Sequence, residues 1–257
     1  MSAVALDQSV PSFLDKVYEL LDRADFRRAD SEADREAVFR LRYDAYLAEE
    51  AIAPRSERRF ADDFDEMGNT WLFGVYLEDQ LVSSIRVSVA TKEFPDCPSY
   101  RAFPDFLTPH LEAGKVIVDP TRHVVDRRAA SRNQHLVYMT MRLGWMAAEF
   151  FRTDLLLAAV RVEHQAFYRR VGGHRVVCGP RAYPGLIKQL SLMSLDFFAG
   201  RDRVLQRYPL FRSTFFERKM LFERLQAPAA IQKATDARPP LRVVAPLTES
   251  LRVPQAG

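Results

Sequence analysis

Residues 115–125 read Lys-Val-Ile-Val-Asp-Pro-Thr-Arg-His-Val-Val, and they combine a strand pattern with an unusual interruption. Aliphatic residues open and close the stretch, as they do in buried strands. Between them lie Asp119, Pro120 and Arg122, which buried strands seldom contain, because proline lacks a ladder donor and an unpaired charge is costly to bury. We therefore expect a β-bulge at Pro120 that brings Asp119 and Arg122 to one side of the strand. A strand end with a solvated ion pair is the alternative.

Periodicity on both sides of this stretch predicts alternating strands and helices. The predicted helices span residues 12–23, 31–48, 133–151, 163–171, 185–199 and 201–225, and the predicted strands span 25–29, 71–77, 81–91, 115–125, 154–160 and 174–178. Four prolines between residues 95 and 109 mark a long connection before the central strand. A hairpin followed by a β-α-β unit implies an α/β (α+β) fold with a mixed sheet and helices on both faces.

The length of 257 residues and the hydrophobic content of 47% allow one large domain with appendages. We expect an N-terminal helix in residues 1–24, the core in 25–183, a C-terminal helical extension in 184–225 and a flexible tail in 226–257. The tail is expected because its residues are rich in proline and show no periodicity.

Composition excludes several classes of function. A net charge of +3 lacks the concentrated positive surface of nucleic-acid-binding proteins, so no nucleic-acid partner is expected. Cys97 and Cys178 have neither metal-ligand spacing nor the pattern of a disulfide framework, and no metal site is expected. The longest aliphatic run, residues 155–160, is too short to cross a bilayer, and the N-terminus shows no secretory signal. We expect a cytoplasmic protein without an integral membrane segment.

The segment 162–173, Val-Glu-His-Gln-Ala-Phe-Tyr-Arg-Arg-Val-Gly-Gly, resembles the last helix and turn of the Gcn5-related N-acetyltransferase (GNAT) fold. The resemblance implies a mostly antiparallel sheet in a three-layer sandwich, followed here by C-terminal helices. It also implies that Tyr168 protonates the departing thiolate. The alternative is that Phe167 and Tyr168 are ordinary packing residues.

Four upstream motifs occur in one order: Arg35-Glu-Ala-Val-Phe39, Asp62-Asp-Phe-Asp65, Ile85-Arg86-Val87 and Asp119-Pro-Thr-Arg122. Their order and spacing resemble those of acyl-homoserine-lactone synthases and N-acyl amino acid synthases, and the run 41–46 is closer to the second branch. This resemblance covers roughly residues 25–180. It implies an acyltransferase that moves a fatty acyl group from acyl carrier protein, or from acyl-CoA, to the amine of an amino acid.

Two features depart from the pattern of these families. Asp119 stands where they mostly have glutamate, so the reach of the acid is one methylene shorter. The glycine-rich pyrophosphate loop of acetyl-CoA users is replaced by Arg-Arg-Ala-Ala-Ser-Arg at residues 127–132. The second departure favours a donor carried on phosphopantetheine over coenzyme A.

Acyl transfer from a thioester to an amine needs a neutral amine, a held carbonyl and a stabilised thiolate. We expect Asp119 to accept the amine proton, directly or through a water, and backbone N–H groups freed at Pro120 to hold the thioester oxygen. Arg122, the third catalytic candidate beside Asp119 and Tyr168, is expected to orient acidic partners. The expected acceptor-side polar cluster consists of Asp62, Asp65, Arg86 and Arg35.

The donor side is expected to use Val118, Val124, Arg127, Arg128 and Arg132. These arginines precede a helix N-terminus, where the phosphate of a pantetheine arm can bind, and they also suit the acidic surface of an acyl carrier protein. Acyl carrier protein and a small-molecule amine are therefore the expected partners, with no bound cofactor. The apolar helices after residue 185 either line an acyl-chain tunnel or complete the core.

Several alternatives stay open at this point. An acidic loop in water explains Asp62 and Asp65, and a solvated basic loop explains the three arginines. A homoserine-lactone synthase that uses S-adenosylmethionine is the alternative reaction. A non-catalytic acyl-carrier-binding or lipid-binding module is the alternative of another class, and Asp119 in place of glutamate keeps it open.

Overall fold

The computed structural model describes residues 12–224 and Ile231, and within them seven strands form one sheet. The strands are β1 (Ala24–Arg28), β2 (Thr70–Leu77), β3 (Gln80–Ala90), β4 (Ile117–Val125), β5 (Leu155–Val160), β6 (Arg175–Arg181) and β7 (Leu190–Asp196). Their order across the sheet is β1-β2-β3-β4-β5-β7-β6, and β4 and β5 form the one parallel pair among these described strands. The predicted mixed, mostly antiparallel sheet is confirmed.

Nine helices accompany these strands in the described ranges: α1 (Phe13–Arg23), α2 (Glu32–Ala48), α3 (Pro98–Ala102), α4 (Pro104–Glu112), α5 (Arg127–Arg132), α6 (Leu136–Phe150), α7 (Gln165–Gly172), α8 (Phe197–Arg207) and α9 (Phe215–Phe222). Short 3₁₀ turns span Asp63–Glu66, Val162–His164 and Pro209–Phe211. None of these helices is both long and apolar enough to span a lipid bilayer.

Helices cover both faces of the sheet, as predicted. On one face, α1, α6, α8 and α9 pack in a single cluster that joins Trp145 of α6 to Val87 of β3. On the other face, α4 packs through Leu107 against Ile117 of β4, while α2 covers β2. The sheet is therefore the middle layer of a three-layer sandwich.

The close approach of α6 to β4 depends on a glycine. A Cβ atom on Gly144 would lie 3.2 Å from Cγ of Pro120, tighter than most side chains accept. Because Gly144 has no side chain, α6 lies close above the part of β4 that carries the interruption.

The predicted helix over residues 185–199 is wrong, because residues 190–196 form strand β7 between β5 and β6. The segment Leu190-Ser-Leu-Met-Ser-Leu195 is buried along its whole length, so its apolar residues do not alternate cleanly with polar ones. Such a run fits a buried strand as well as a helix. The segment 184–225 thus supplies a strand to the sheet in addition to α8 and α9. Of the predicted tail, residues 226–230 and 232–257 lie outside the described residues, as does residue 225 of the predicted extension.

Three short helices occur where no helix was predicted. In the proline-marked connection, α3 and α4 both begin with a proline at the first helical position, where the missing N–H costs no hydrogen bond. The arginine-rich residues expected as a loop form α5, whose N-terminus is capped by Asp126 through a 2.8 Å hydrogen bond to the Ala129 N–H.

Strand β4 contains the predicted bulge, but not at the proline. Pro120 lies in regular register opposite Val87 of β3. Two residues further on, Arg122 and His123 together lie opposite Ile85 alone, and Arg122 adopts a left-handed φ of 54°. The extra residue therefore sits at Arg122, and it shifts the alternation of side chains there by one position.

Candidate active site

A gap between two central strands defines the candidate site. Strands β4 and β5 pair at only two positions, Ile117 with Leu155 and Val118 with Leu156. Beyond Val118 they diverge, and a cavity of about 30 Å³ lies between β4, β5, α6 and α7. Open sheets that part in this way expose backbone polar groups along both strands, so the gap suits a ligand that can hydrogen-bond to a strand edge.

Tyr168 on α7 lines this cavity. Burial raises the pKa of its hydroxyl to about 12, which keeps the group protonated at neutral pH. The position fits a proton donor, and the catalytic role predicted for Tyr168 stays a prediction.

On the α2 side of the gap, Asp62 bridges two buried arginines. Arg122 donates to its Oδ2 at 2.7 Å, and Arg86 forms a very short ion pair with its Oδ1. Burial by itself would raise the pKa of Asp62, but the charges and hydrogen bonds of Arg86 and Arg122 outweigh burial and lower it to about 2. Arg122 therefore orients an acidic partner, as predicted.

Asp65 is the second carboxylate of this cluster. It accepts hydrogen bonds from Arg86 at 3.0 Å and from Arg42 at 2.8 Å, and both guanidinium groups are fully buried. The predicted pairing of Arg86 with Asp62 and Asp65 is confirmed, and the alternative of an acidic loop in water is wrong. Arg42 was not predicted; its signal was a charged residue four positions after Val38 on the apolar face of the predicted helix.

Two further contacts attach the edges of this charged cluster. Arg35 donates to the backbone oxygen of Asp65 at 2.9 Å and forms an ion pair with Glu66. Arg122 donates to the backbone oxygen of Pro184 at 2.8 Å, and this bond holds the loop before β7 against the sheet. The five motif residues on this face thus form one connected network around Asp62.

Asp119 is completely buried. Its oxygens accept from the Ser99 backbone N–H at 3.0 Å and from the Ser99 hydroxyl at 2.7 Å, at the start of α3. Burial raises the pKa of Asp119, while the bonds from Ser99 and the charge of Arg86 act in the opposite direction. A raised pKa suits a base, but each carboxylate oxygen already accepts one bond from Ser99, so a proton would have to reach a second lone pair of one of them. Its role as base stays a prediction.

Asp119 and Arg122 lie on the same face of β4, as the bulge hypothesis required. Tyr183 lies beside both: burial and the charge of Asp119 raise the pKa of its hydroxyl well above the ordinary value, and Ser99 and Arg122 oppose this rise. Its hydroxyl also lies 3.2 Å from the Ser99 hydroxyl. The left-handed backbone conformation of Arg122 thus places Asp119 and the charged cluster around Asp62 on the same face of β4.

The expected donor-side residues fall into two groups. Val118 and Val124 are buried in β4, and Val118 is the last residue of β4 that pairs with β5. The expected arginines are exposed on α5, and the last of them, Arg132, lines a surface pocket of about 420 Å³. Lys16 and Arg23 of α1 line the same pocket, close to the N-terminus of α6. This pocket is basic on balance, with Glu19 as the one acidic residue among those described that line it, and it adjoins the N-terminus of α6.

Three other residues that line the cavity were not predicted: His123, Trp145 and His174. His123 lies inside the opening stretch, directly after Arg122, where the sequence pattern predicts a strand residue and no further role. In the described part of the chain no group of three or more histidine, cysteine or acidic residues is arranged to hold a metal ion.

The chain is similar to a known protein family and to several solved structures. A family model described as N-acyl amino acid synthase FeeM matches residues 37–196, more than half of the chain. No curated protein matches the sequence. Among solved structures, the chain is similar to FeeM, an N-acyl amino acid synthase from uncultured soil microbes, with a TM-score of 0.59 and 16% identity over 74% of this chain and 99% of that one.

Two other solved structures share the fold. TofI, solved in a ternary complex with an inhibitor and MTA, gives a TM-score of 0.53 and 13% identity over 74% of this chain and 100% of that one. BjaI, a CoA-dependent acyl-homoserine lactone synthase, gives a TM-score of 0.50 and 16% identity over 82% of this chain and 98% of that one. At these identities the likeness concerns the fold.

The charged cluster predicts a defined loss of stability. We expect Asp62→Asn to lower the free energy of unfolding at pH 7 by roughly 3 kcal/mol, because the buried Arg122 loses its carboxylate partner and the buried Arg86 keeps only Asp65. The folded-state pKa of Asp62 is depressed, so its contribution is present above pH 4 and is lost as the pH falls towards 2. Urea unfolding measured from pH 7 to pH 2 should therefore show a shallower acid loss in the variant.

Asp63→Asn is the matched control, since Asp63 is the next residue and its side chain is exposed. We expect it to unfold like the wild type at every pH. Equal stability of the two variants would contradict the bridging role of Asp62.

Proposed function

The chain belongs to the FeeM family of N-acyl amino acid synthases, and we propose that it transfers a fatty acyl group from a phosphopantetheine thioester to the amine of an amino acid. The observation that carries this proposal is the gap between β4 and β5, with Tyr168 on one side and the Asp62–Arg122 cluster on the other. The thioester enters the gap from the side of α6, and the amine approaches from the side of α2.

The proposed reaction forms one bond and breaks one. The amine nitrogen attacks the thioester carbon, the C–S bond breaks, and the thiolate leaves. Backbone N–H groups on the unpaired edge of β4 hold the oxygen as negative charge develops on it. The Tyr168 hydroxyl donates its proton to the leaving sulfur, and Asp119 takes the proton that the amine loses. The net charge of the site is therefore unchanged, and transfer of a proton from Asp119 to Tyr168 through solvent restores the starting state.

Asp119 is the proposed acceptor of the amine proton. Its raised pKa increases its proton affinity, and the lone pairs that Ser99 does not occupy are the ones that accept the proton. Arg122 touches Asp62 and Pro184, so it is a positioning residue that shapes the acceptor side.

The charge of the cluster supports an acceptor that carries a carboxylate. The three guanidinium groups of Arg42, Arg86 and Arg122 face the two carboxylates of Asp62 and Asp65. Buried nitrogens of all three arginines have no partner among the described residues, Nε of Arg122 among them. The carboxylate of an amino acid supplies the acceptor atoms that such nitrogens lack.

The basic pocket beside α5 supports a donor with a phosphate and an acidic carrier. Arg132, Lys16 and Arg23 surround it, and Arg127 and Arg128 extend the same charge along the exposed side of α5. We therefore propose acyl carrier protein as the donor, with its phosphopantetheine phosphate near the N-terminus of α6.

Product analysis tests the reaction directly. The purified protein, incubated with acyl-ACP and a mixture of amino acids, is expected to yield an N-acyl amino acid detectable by mass spectrometry. Tyr168→Phe should lower kcat about 100-fold, because the thiolate loses its proton donor. Tyr138→Phe is the control: Tyr138 packs against Phe167 but does not line the cavity, so kcat should stay within about twofold.

Other products would overturn the proposal in distinct ways. Formation of methylthioadenosine from S-adenosylmethionine would identify a homoserine-lactone synthase, the activity that the name of BjaI states. Binding of acyl-ACP without any acylated product would support a non-catalytic module. An unchanged kcat in Tyr168→Phe would remove Tyr168 from the chemistry.

The role of Asp119 predicts a shift in the pH profile. The hydrogen bond from Ser99 lowers the pKa of Asp119, so Ser99→Ala should raise it. Because a base must be deprotonated to act, the acid limb of kcat/KM should move to higher pH in this variant. Ser56→Ala, on an exposed turn, should leave the limb in place. A limb that does not move in Ser99→Ala would show that Asp119 is not the base.

The donor assignment predicts a selective loss. Reversing the charge of Arg127, Arg128 and Arg132 should lower kcat/KM for acyl-ACP about tenfold or more, and for a free pantetheine thioester much less. High salt should weaken use of acyl-ACP by the wild type in the same way. Reversal of the exposed Arg40, Arg58 and Arg207 is the control for net charge. Equal losses with both donors would contradict a docking surface on α5.

A further inference from the structure

The cavity in the gap contains polar atoms without partners. The indole Nε1 of Trp145 and both ring nitrogens of His174 are buried and have no hydrogen-bond partner of ordinary geometry among the described residues, although the backbone of Tyr168 lies close enough to the His174 ring to act on its pKa. Both side chains line the cavity, and they are 1% and 2% exposed. Native proteins rarely bury such groups unpaired, so a polar group that enters the cavity would find hydrogen-bond partners in these atoms.

Neither side chain can turn away to find another partner. Trp145 stacks on Phe211 with ring centroids 5.5 Å apart and an interplanar angle of 6°, and it also packs against Phe197. The His174 ring stands edge-on to Tyr168 at 5.9 Å, and it fills the space where a side chain on Gly172 would lie. The polar atoms are therefore fixed where they are.

The other tryptophan of the chain shows the usual arrangement. Trp71 is equally buried, and its Nε1 donates to the backbone oxygen of Phe222 at 3.1 Å. Both indoles belong to the same core cluster. Of the two buried indoles, the one that lines the cavity is the one whose Nε1 has no hydrogen-bond partner among the described residues.

The cavity offers hydrogen bonds without charge. Burial lowers the pKa of His174 and of His123 to about 4, so both imidazoles are neutral at pH 7. A neutral imidazole has one N–H donor and one lone pair, and Nε2 of His123 is also unpaired within the described residues. A carboxylate or phosphate would lie here without a cation, whereas a neutral hydroxyl can both accept from an N–H and donate to a ring nitrogen.

We propose that this cavity recognises a hydroxyl group on the acyl chain of the donor, with Trp145 as its hydrogen-bond donor and His174 as its acceptor. The inference rests on the proposed acyl transfer and narrows its substrate to hydroxyacyl thioesters. A keto group would satisfy Trp145 alone, and an unsubstituted chain would leave both residues unpaired.

The position of the hydroxyl follows from the size of the cavity. At about 30 Å³ the space holds one small substituent. Pro120 and Tyr168, which flank the proposed position of the thioester, line the same cavity. The hydroxyl is therefore close to the thioester carbonyl, on the second or third carbon of the chain.

A matched set of donors tests this inference. The full chain is assayed with the coenzyme A thioesters of octanoic, 2-hydroxyoctanoic, 3-hydroxyoctanoic and 3-oxooctanoic acids at a saturating amino acid concentration. One of the hydroxylated donors should exceed octanoyl-CoA in kcat/KM by about tenfold or more, because a site built around a hydroxyl rejects the analogue that lacks it. The kcat/KM for the 3-oxo donor should lie between the values for the preferred hydroxylated donor and for octanoyl-CoA.

Trp145→Phe removes the N–H and keeps an aromatic ring in place. It should reduce the preference for the hydroxylated donor to about threefold or less. Trp71→Phe makes the same change at the paired indole and should keep the wild-type preference. Circular dichroism and thermal unfolding establish that both variants are folded. Their ratios of kcat/KM for the hydroxylated donor to kcat/KM for octanoyl-CoA are then compared.

Calorimetric binding of the same thioesters separates this inference from the proposed function. Product formation with equal kcat/KM for all donors would overturn the inference and leave acyl transfer standing. Tighter binding of a hydroxylated thioester that Trp145→Phe abolishes, in the absence of any product, would support the inference and overturn acyl transfer. A preference that survives Trp145→Phe would also overturn the inference.

Discussion

The divergence of β4 and β5 after Val118 is the constraint on which the rest of the structure depends. A central strand that loses its neighbour exposes backbone N–H and C=O groups inside the protein, and such groups need partners. The same divergence makes a proline acceptable at position 120, because the edge of β4 that faces β5 is already unpaired there. The helices α6 and α7 then enclose the gap from one side, and Gly144 lets α6 come close enough to do so.

The opposite side of the gap is held by charge. Asp62 and Asp65 lie on the loop after α2, far in sequence from the strands they touch, and the buried guanidinium groups of Arg86 and Arg122 tie that loop to the sheet. A buried pair of this kind contributes little net stability but penalises every arrangement that leaves one partner alone. It therefore fixes where the loop that carries Asp62 and Asp65 lies against the sheet, and the bond from Arg122 to Pro184 adds the loop before β7 to the same wall.

Particular residues show why prediction succeeded in one half of the chain and failed in another. The hairpin, the central strand and α6 have distinct periods, and Arg86 had to pair because a lone charge in an apolar strand is costly to bury. Strand β7 was missed because both of its faces are buried between β5 and β6, so its sequence lacks the alternation of a half-exposed strand. The proline at 120 predicted a bulge, yet the extra residue lies at Arg122, because the contacts of Arg122 with Asp62 and Pro184 decide which residue turns.

The sequence by itself determined the mixed sheet, the positions of its first five strands along the chain, the pairing of the acidic motif with the strand arginine, and the family to which the motifs belong. These follow from periodicity and from the cost of burying unpaired charge, which act locally or between few residues. Only the tertiary structure decided that β7 inserts beside β5, that Ser99 encloses Asp119, and that Trp145 and His174 meet at one cavity. These three features depend on which surfaces distant in sequence pack together. Neither the type of a residue nor its spacing along the chain predicts that packing.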